Sequence, residues 1–200
     1  GIFEHNTDIE NFDALVGYFR ASGYFKVRPF LDNVPHIRIL VGIDVDKILA
    51  KYQSKGLLFQ GDANQTLIEF LSEVKSDIQD ADYNQEIEEG ILQFIEDIAT
   101  RKIEIKAHPS KKLHAKIYIF KPKGWNEHKS GYVITGSSNL TENGLGGTDN
   151  FNYEFNVQLK DYDDVKFASD EFERLWIEGI SILPIEINKV KKETFLNDDF

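Results

Sequence analysis

Two rhythms of apolar and polar positions divide this chain. Phe12 to Phe19 is an apolar run with polar residues on either side and predicts a buried strand. Ala21 to Asn33 predicts a short helix that ends near Pro35, because the residue before a proline is driven out of helical geometry. Ile37 to Ile43, read as Ile-Arg-Ile-Leu-Val-Gly-Ile, is the clearest buried strand and is rich in β-branched residues. Thr66 followed by Glu69 has the spacing of a capping box. Beyond it Leu67, Phe70, Leu71, Val74 and Ile78 recur at helical spacing. A short acidic linker, Asp80 to Asn84, leads into a second helix from about Gln85. Its expected inner face carries Ile87, Ile91, Phe94, Ile95 and Ile98.

From Ile103 the period shortens to two. Ile103 to Ala107, Leu113 to Phe120, Gly131 to Thr135 and Tyr153 to Leu159 all read as strands. A closing helix is expected from Asp163 to about Glu178, burying Val165, Phe167, Phe172, Leu175 and Trp176. Strands and helices that interleave in this way predict an α/β domain, a mixed central β-sheet flanked by helices. The 200 residues suffice for one domain with a sizeable core. That domain is expected over residues 1–185, with 186–200 beginning a linker toward a further C-terminal region. The chain contains no methionine, even at its start, and reads as a piece of a longer protein.

Composition narrows the chemistry. Without cysteine there is no disulfide, thiolate zinc site or cysteine nucleophile, which fits a reducing cytoplasm. No apolar run approaches the roughly 20 residues that span a bilayer, and no basic amphipathic segment suits a membrane surface. The net charge of −11 argues against a general nucleic-acid coat, yet it is unevenly spread. Arg101 to Gly131 carries +7, leaving −18 for the rest of the chain. A basic island in an acidic body fits an anionic substrate, although a solvated lysine-rich hairpin produces the same count. His-Glu-x-x-His, P-loop and Gly-x-Gly-x-x-Gly patterns are absent, so no metal or cofactor is expected.

The candidate chemistry lies in three consecutive strands. Alternation over Leu113 to Phe120 sends Leu113, Ala115, Ile117 and Ile119 toward the core. His114, Lys116, Tyr118 and Phe120 then share the other face, with His114 and Lys116 about 6–7 Å apart along the strand. The next strand runs into Gly136-Ser137-Ser138-Asn139-Leu140-Thr141, where glycine permits a tight turn and short polar side chains suit phosphate oxygens. The third strand is expected to turn Tyr153, Phe155, Val157 and Leu159 inward and Glu154, Asn156 and Gln158 outward. A carboxylate at Glu154 is placed to accept a hydrogen bond from the His114 ring and fix its tautomer. His108, six residues upstream, reads as an ordinary polar loop residue.

Leu113-His114-Ala115-Lys116-Ile117-Tyr118, followed by Gly136 to Thr141, resembles the HKD motif of the phospholipase D superfamily. Asn152-Tyr153-Glu154-Phe155-Asn156 resembles the Asn-x-Glu segment of its nuclease-like branch, whose members carry one motif per chain. That branch includes metal-independent restriction endonucleases and the N-terminal phospholipase D-like domains of bacterial superfamily 2 helicases. The resemblance implies an α-β-α sandwich and a metal-independent phosphodiesterase. His114, Lys116, Ser137, Asn139 and Glu154 would be catalytic, and Ser138, Thr141, Lys112 and Lys121 would bind substrate. It further implies a phosphohistidine intermediate and a homodimer sharing one active site, acting on nucleic acid, DNA in preference to RNA.

Two departures stand out. The motif aspartate five residues after the lysine is Lys121, and the gap before the Gly-Ser turn is stretched by a basic hairpin from Pro122 to Tyr132. Three readings follow: a nuclease, a non-catalytic module that binds DNA or a partner, and, behind both, a phospholipase.

Overall fold

The computed structural model describes residues 8–17, 21–42, 65, 68–69, 71–72, 75–76, 85–108, 113–139 and 154–182. Strand β1 (Ile9–Val16) lies at the centre of the sheet and is buried on both faces. Phe12, Ala14 and Val16 enter one hydrophobic cluster and Leu15 enters the other. The chain then passes through helix α1 (Ala21–Val27) and a 3₁₀ turn (Arg28–Leu31) into β2 (His36–Val41). Helix α2 (Gln85–Ala99) precedes β3 (Ile103–Ala107). After it come β4 (Lys116–Pro122), β5 (Tyr132–Gly136), β6 (Asn156–Leu159), helix α3 (Tyr162–Glu178) and β7 (Ile180–Ser181).

The seven strands form one mixed sheet in the order β6-β5-β4-β1-β2-β3-β7. β1, β2 and β3 are parallel; β4, β5 and β6 join in antiparallel succession, and β7 lies antiparallel to β3. Tyr24, Leu31, Phe94 and Ile98 from the first two helices pack on one face with Phe12, Ile37, Ile39, Ile103 and Tyr118. Val165, Phe172, Leu175 and Trp176 of α3 cover the other with Leu15, Leu40, Ile119 and Val133. The layering is the expected α-β-α sandwich.

Ion pairs fasten each helical layer. On the first face the buried Asp97 accepts from Tyr24 Oη at 2.7 Å and from Gln93 Nε2 at 3.0 Å, and it pairs with Arg28. Burial and this carboxylate push the Tyr24 phenol far above its ordinary value. On the α3 face Asp13, 1% exposed, takes Arg38 Nε at 2.7 Å and Nη2 at 2.9 Å. The same guanidinium donates to Glu173 of α3 at 2.6 Å and lies over the Phe172 and Trp176 rings. Burial works against the Arg38 charge, but Asp13 and Glu173 outweigh it and hold the guanidinium above its usual value.

Several boundaries differ from the sequence pattern, for identifiable reasons. The first strand covers Ile9–Val16 rather than Phe12 to Phe19. It stops because a Cβ at Gly17 would lie 2.3 Å from the Leu113 carbonyl oxygen, so the chain must cross there without a side chain. The expected Ala21 to Asn33 helix is split by Pro29 into α1 and the 3₁₀ turn. β4 starts at Lys116, where pairing with β1 begins opposite Val16, so Leu113 to Ala115 precede the strand. Tyr118 and Phe120 are also core residues, because this strand is covered on both faces. Phe155 (66% exposed) and Val157 lie outside the core, since β6 is an edge strand of which α3 covers only Leu159. Phe167 is 71% exposed; two residues beyond the buried Val165 puts it about 200° round α3. The expected positions Leu67, Phe70, Val74, Ile78 and Tyr153, the linker 80–84, and the side chains of Ile87, Ile91 and Ile95 lie outside the described residues.

Candidate active site

The parallel strands β1, β2 and β3 all end at one edge of the sheet, where β4 begins and β5 finishes. Open α/β sheets place ligands beyond the carboxyl ends of their parallel strands. Leu113 crosses Gly17 here, which sets His114 immediately beside β1. His114 is exposed, and Lys116 Nζ donates to the His114 carbonyl at 2.8 Å. The two residues therefore stay together, although only Lys116 belongs to the strand.

The Gly-Ser-Ser-Asn run turns off β5 at the same end. A Cβ on Gly136 would lie 2.1 Å from the Phe155 carbonyl oxygen and 2.5 Å from Asn156 Oδ1, so only glycine fits. Ser137 N–H donates to the Phe155 carbonyl at 3.1 Å, Phe155 N–H returns a bond to Ser137 Oγ at 3.0 Å, and Ser137 Oγ donates to the Glu154 carboxylate. Ser138 is only 4% exposed. Asn156 Nδ2 donates to its hydroxyl at 2.7 Å, its N–H reaches Asn156 Oδ1 at 3.4 Å, and Tyr118 Oη donates to its carbonyl at 2.8 Å. Burial, helped by the charge of Glu154, pushes the Tyr118 phenol far up. Asn139 is half-buried in the same turn.

Of the expected residues, the structure brings His114, Lys116, Ser137, Ser138, Asn139 and Glu154 to the end of β4, β5 and β6. Glu154 takes the Ser137 hydroxyl rather than the His114 ring, because β5 intervenes between the strands that carry them. Lys121 is elsewhere. It projects to the α3 face, 3.4 Å from Asp13 and over the Trp125 ring, so its position is an ion pair within the fold rather than a substrate contact. Lys112 and Thr141 lie outside the described residues. His108 is not a loop residue in solvent; it is fully buried past the end of β3, with Nε2 3.1 Å from Glu178 of α3.

Among the described residues the basic island does not form one patch. Lys102 Nζ bonds the Asp32 and Val34 carbonyls, Lys106 bonds the Trp176 carbonyl on the α3 face, and Lys129 pairs with Asp8. Alternation along β3 and β4 spreads adjacent lysines over both faces and both ends of the sheet. Tyr118 and Asn156, expected on the same faces as Lys116 and Glu154, bond Ser138, contacts that the sequence pattern does not signal. Their only signal was position, two residues after Lys116 and two after Glu154.

The family model for the cardiolipin synthase, PLD-like domain matches residues 21–176. The chain belongs to the phospholipase D-like family. Members of this superfamily are phosphodiester hydrolases or transferases. Among solved structures, the phospholipase D family member Nuc from Salmonella typhimurium superposes with a TM-score of 0.50 at 12% identity, over 91% of this chain and 88% of that one. Phosphatidylserine synthase from Haemophilus influenzae Rd KW20 gives a TM-score of 0.45 at 14% identity, over 92% of this chain and 39% of that one. Comparison with curated protein sequences gives no match. The Nuc superposition supports the same phospholipase D-like fold.

Proposed function

We propose that this chain is a metal-independent phosphodiesterase, a nuclease acting on DNA, with His114 as its nucleophile. The observation that carries the reading is the meeting of an exposed histidine, a lysine and a glycine-serine turn at one end of a phospholipase D-like sheet. His114 attacks phosphorus, forming a P–N bond as the P–O bond to the leaving group breaks. A second histidine protonates the leaving oxygen and then takes a proton from the water that cleaves the phosphohistidine. Lys116 and Asn139 stabilise charge on the non-bridging oxygens, and Ser137 joins them by turning its hydroxyl from Glu154 to a phosphoryl oxygen. This chain holds a single copy of the motif, so the second histidine is His114 of another copy, and the active site is shared across a two-fold axis.

The placement of Lys121 supports a catalytic over a purely binding role. The position that departs from the motif faces α3 and is matched by Asp13, so the departure removes nothing from the cleft. In this reading the chain is the catalytic domain of a cytoplasmic helicase or restriction-type protein.

The test is cleavage of labelled single- and double-stranded DNA, with RNA and phospholipid vesicles alongside, in EDTA. Cutting of DNA that disappears in His114→Ala supports the reading. Binding of DNA without cutting by the unaltered chain would replace it with the binding-module reading.

A further inference from the structure

We propose that Tyr118 and Asn156 are positioning residues that hold the Gly136 to Asn139 turn in a fixed place beside Lys116, with Ser138 as its buried anchor. The inference rests on the phosphodiesterase reading and adds to it the two side chains that shape the site. Ser138 reads from sequence as a substrate ligand, but its groups are turned into the protein. Its N–H and hydroxyl meet the Asn156 amide at 3.4 and 2.7 Å, and its carbonyl accepts the Tyr118 hydroxyl at 2.8 Å. A residue clasped at three atoms and 4% exposed fixes its neighbours, and Ser137 on one side of it is exposed.

The two clasping residues come from different strands. Tyr118 stands on β4 two residues after Lys116, so its hydroxyl ties the strand that carries the ammonium to the loop that carries the serine. Asn156 opens β6 two residues after Glu154, so its amide ties the carboxylate's strand to the same loop. Hydrogen bonds are directional, so this clasp sets the loop's orientation as well as its proximity. The spacing between Lys116, Ser137 and Glu154 is thereby set before any ligand arrives, which is what a phosphoryl site requires.

Tyr118→Phe and Asn156→Ala, in the full 200-residue chain, test the assignment. Inorganic phosphate is titrated while the backbone amide resonances of Ser137, Ser138 and Asn139 are followed. Hydrogen exchange at the same amides is measured without phosphate, and thermal unfolding reports the fold. The expected result is a phosphate affinity weakened about tenfold in each variant. Exchange at Ser138 should be faster, with the unfolding temperature of Tyr118→Phe lowered only by the few degrees that one lost buried hydrogen bond costs. With a small chromogenic phosphodiester, kcat of Tyr118→Phe should fall by about tenfold while KM moves less than twofold. Unchanged phosphate affinity and exchange in both variants would overturn the clasp. So would losses that merely track the unfolded fraction. If the unaltered chain binds phosphate, and loses it in the variants, yet cleaves no diester, the clasp stands and the nuclease reading fails.

Discussion

Lys121 shows how far a motif position can be read from its letter. In the HKD pattern an aspartate is expected there, and lysine looks like a damaged site. In the fold the residue faces Asp13, a carboxylate 1% exposed that already receives two bonds from Arg38. Restoring the motif by Lys121→Asp should therefore lower stability by about 2–4 kcal/mol, because it sets a second carboxylate against a buried one. Urea denaturation would check this; a variant of unchanged stability would show that the pair contributes nothing. Ser137 is a different case, an exposed motif residue whose hydroxyl bonds the Glu154 carboxylate. Ser137→Ala should reduce kcat by roughly 10²-fold by removing a hydroxyl near the developing charge, measured on a small phosphodiester.

At the scale of elements, α3 is held to the sheet by apolar contacts and by the Arg38 bridge to Glu173. Phe172→Ala should cost about 3–5 kcal/mol, whereas Phe167→Ala on the exposed side should stay within about 0.5 kcal/mol. The same denaturation series reads both. Glu173 adds a pH dependence. Its hydrogen bond to Arg38 holds the carboxyl below its ordinary value of 4.5. A depressed folded value means that the contribution is present above the unfolded pKa and is lost as pH falls through the lower folded one. Thermal unfolding should fall more steeply below about pH 4.5 in the unaltered chain than in Glu173→Gln. Parallel slopes would remove Glu173 from the account.

Elements were also the most legible level of the sequence. β3 matches its pattern to the residue, and α2 and α3 match to within a residue at the start, because strand and helix periods are strong signals in buried segments. The start of β4 was not legible, since it depends on where β1 stops offering a partner, a contact 100 residues away in sequence. The exposure of Phe155 likewise depends on sheet order, which periodicity does not encode. The site followed the same rule. His114, Lys116 and the Gly-Ser turn were visible as letters, while the clasp by Tyr118 and Asn156 exists only once three strands are side by side.

For the whole molecule, the proposed mechanism makes assembly part of the chemistry, because the chain carries one copy of the motif. If both histidines of a shared site are needed, an inactive His114→Ala chain should poison its partner. Equal mixing of exchanging wild-type and His114→Ala chains should leave about a quarter of the wild-type activity, against about half for independent monomers. Sedimentation at the assay concentration would then show a dimer.

On the proposed mechanism His114 becomes covalently bonded to phosphorus. Rapid quenching at alkaline pH during turnover of a phosphodiester, followed by mass spectrometry of the peptide containing His114, examines that bond. An acid-labile adduct on His114 should form in EDTA and be absent from His114→Ala. Turnover with no adduct at any quench time, or an adduct on another residue, would rule out His114 as the nucleophile.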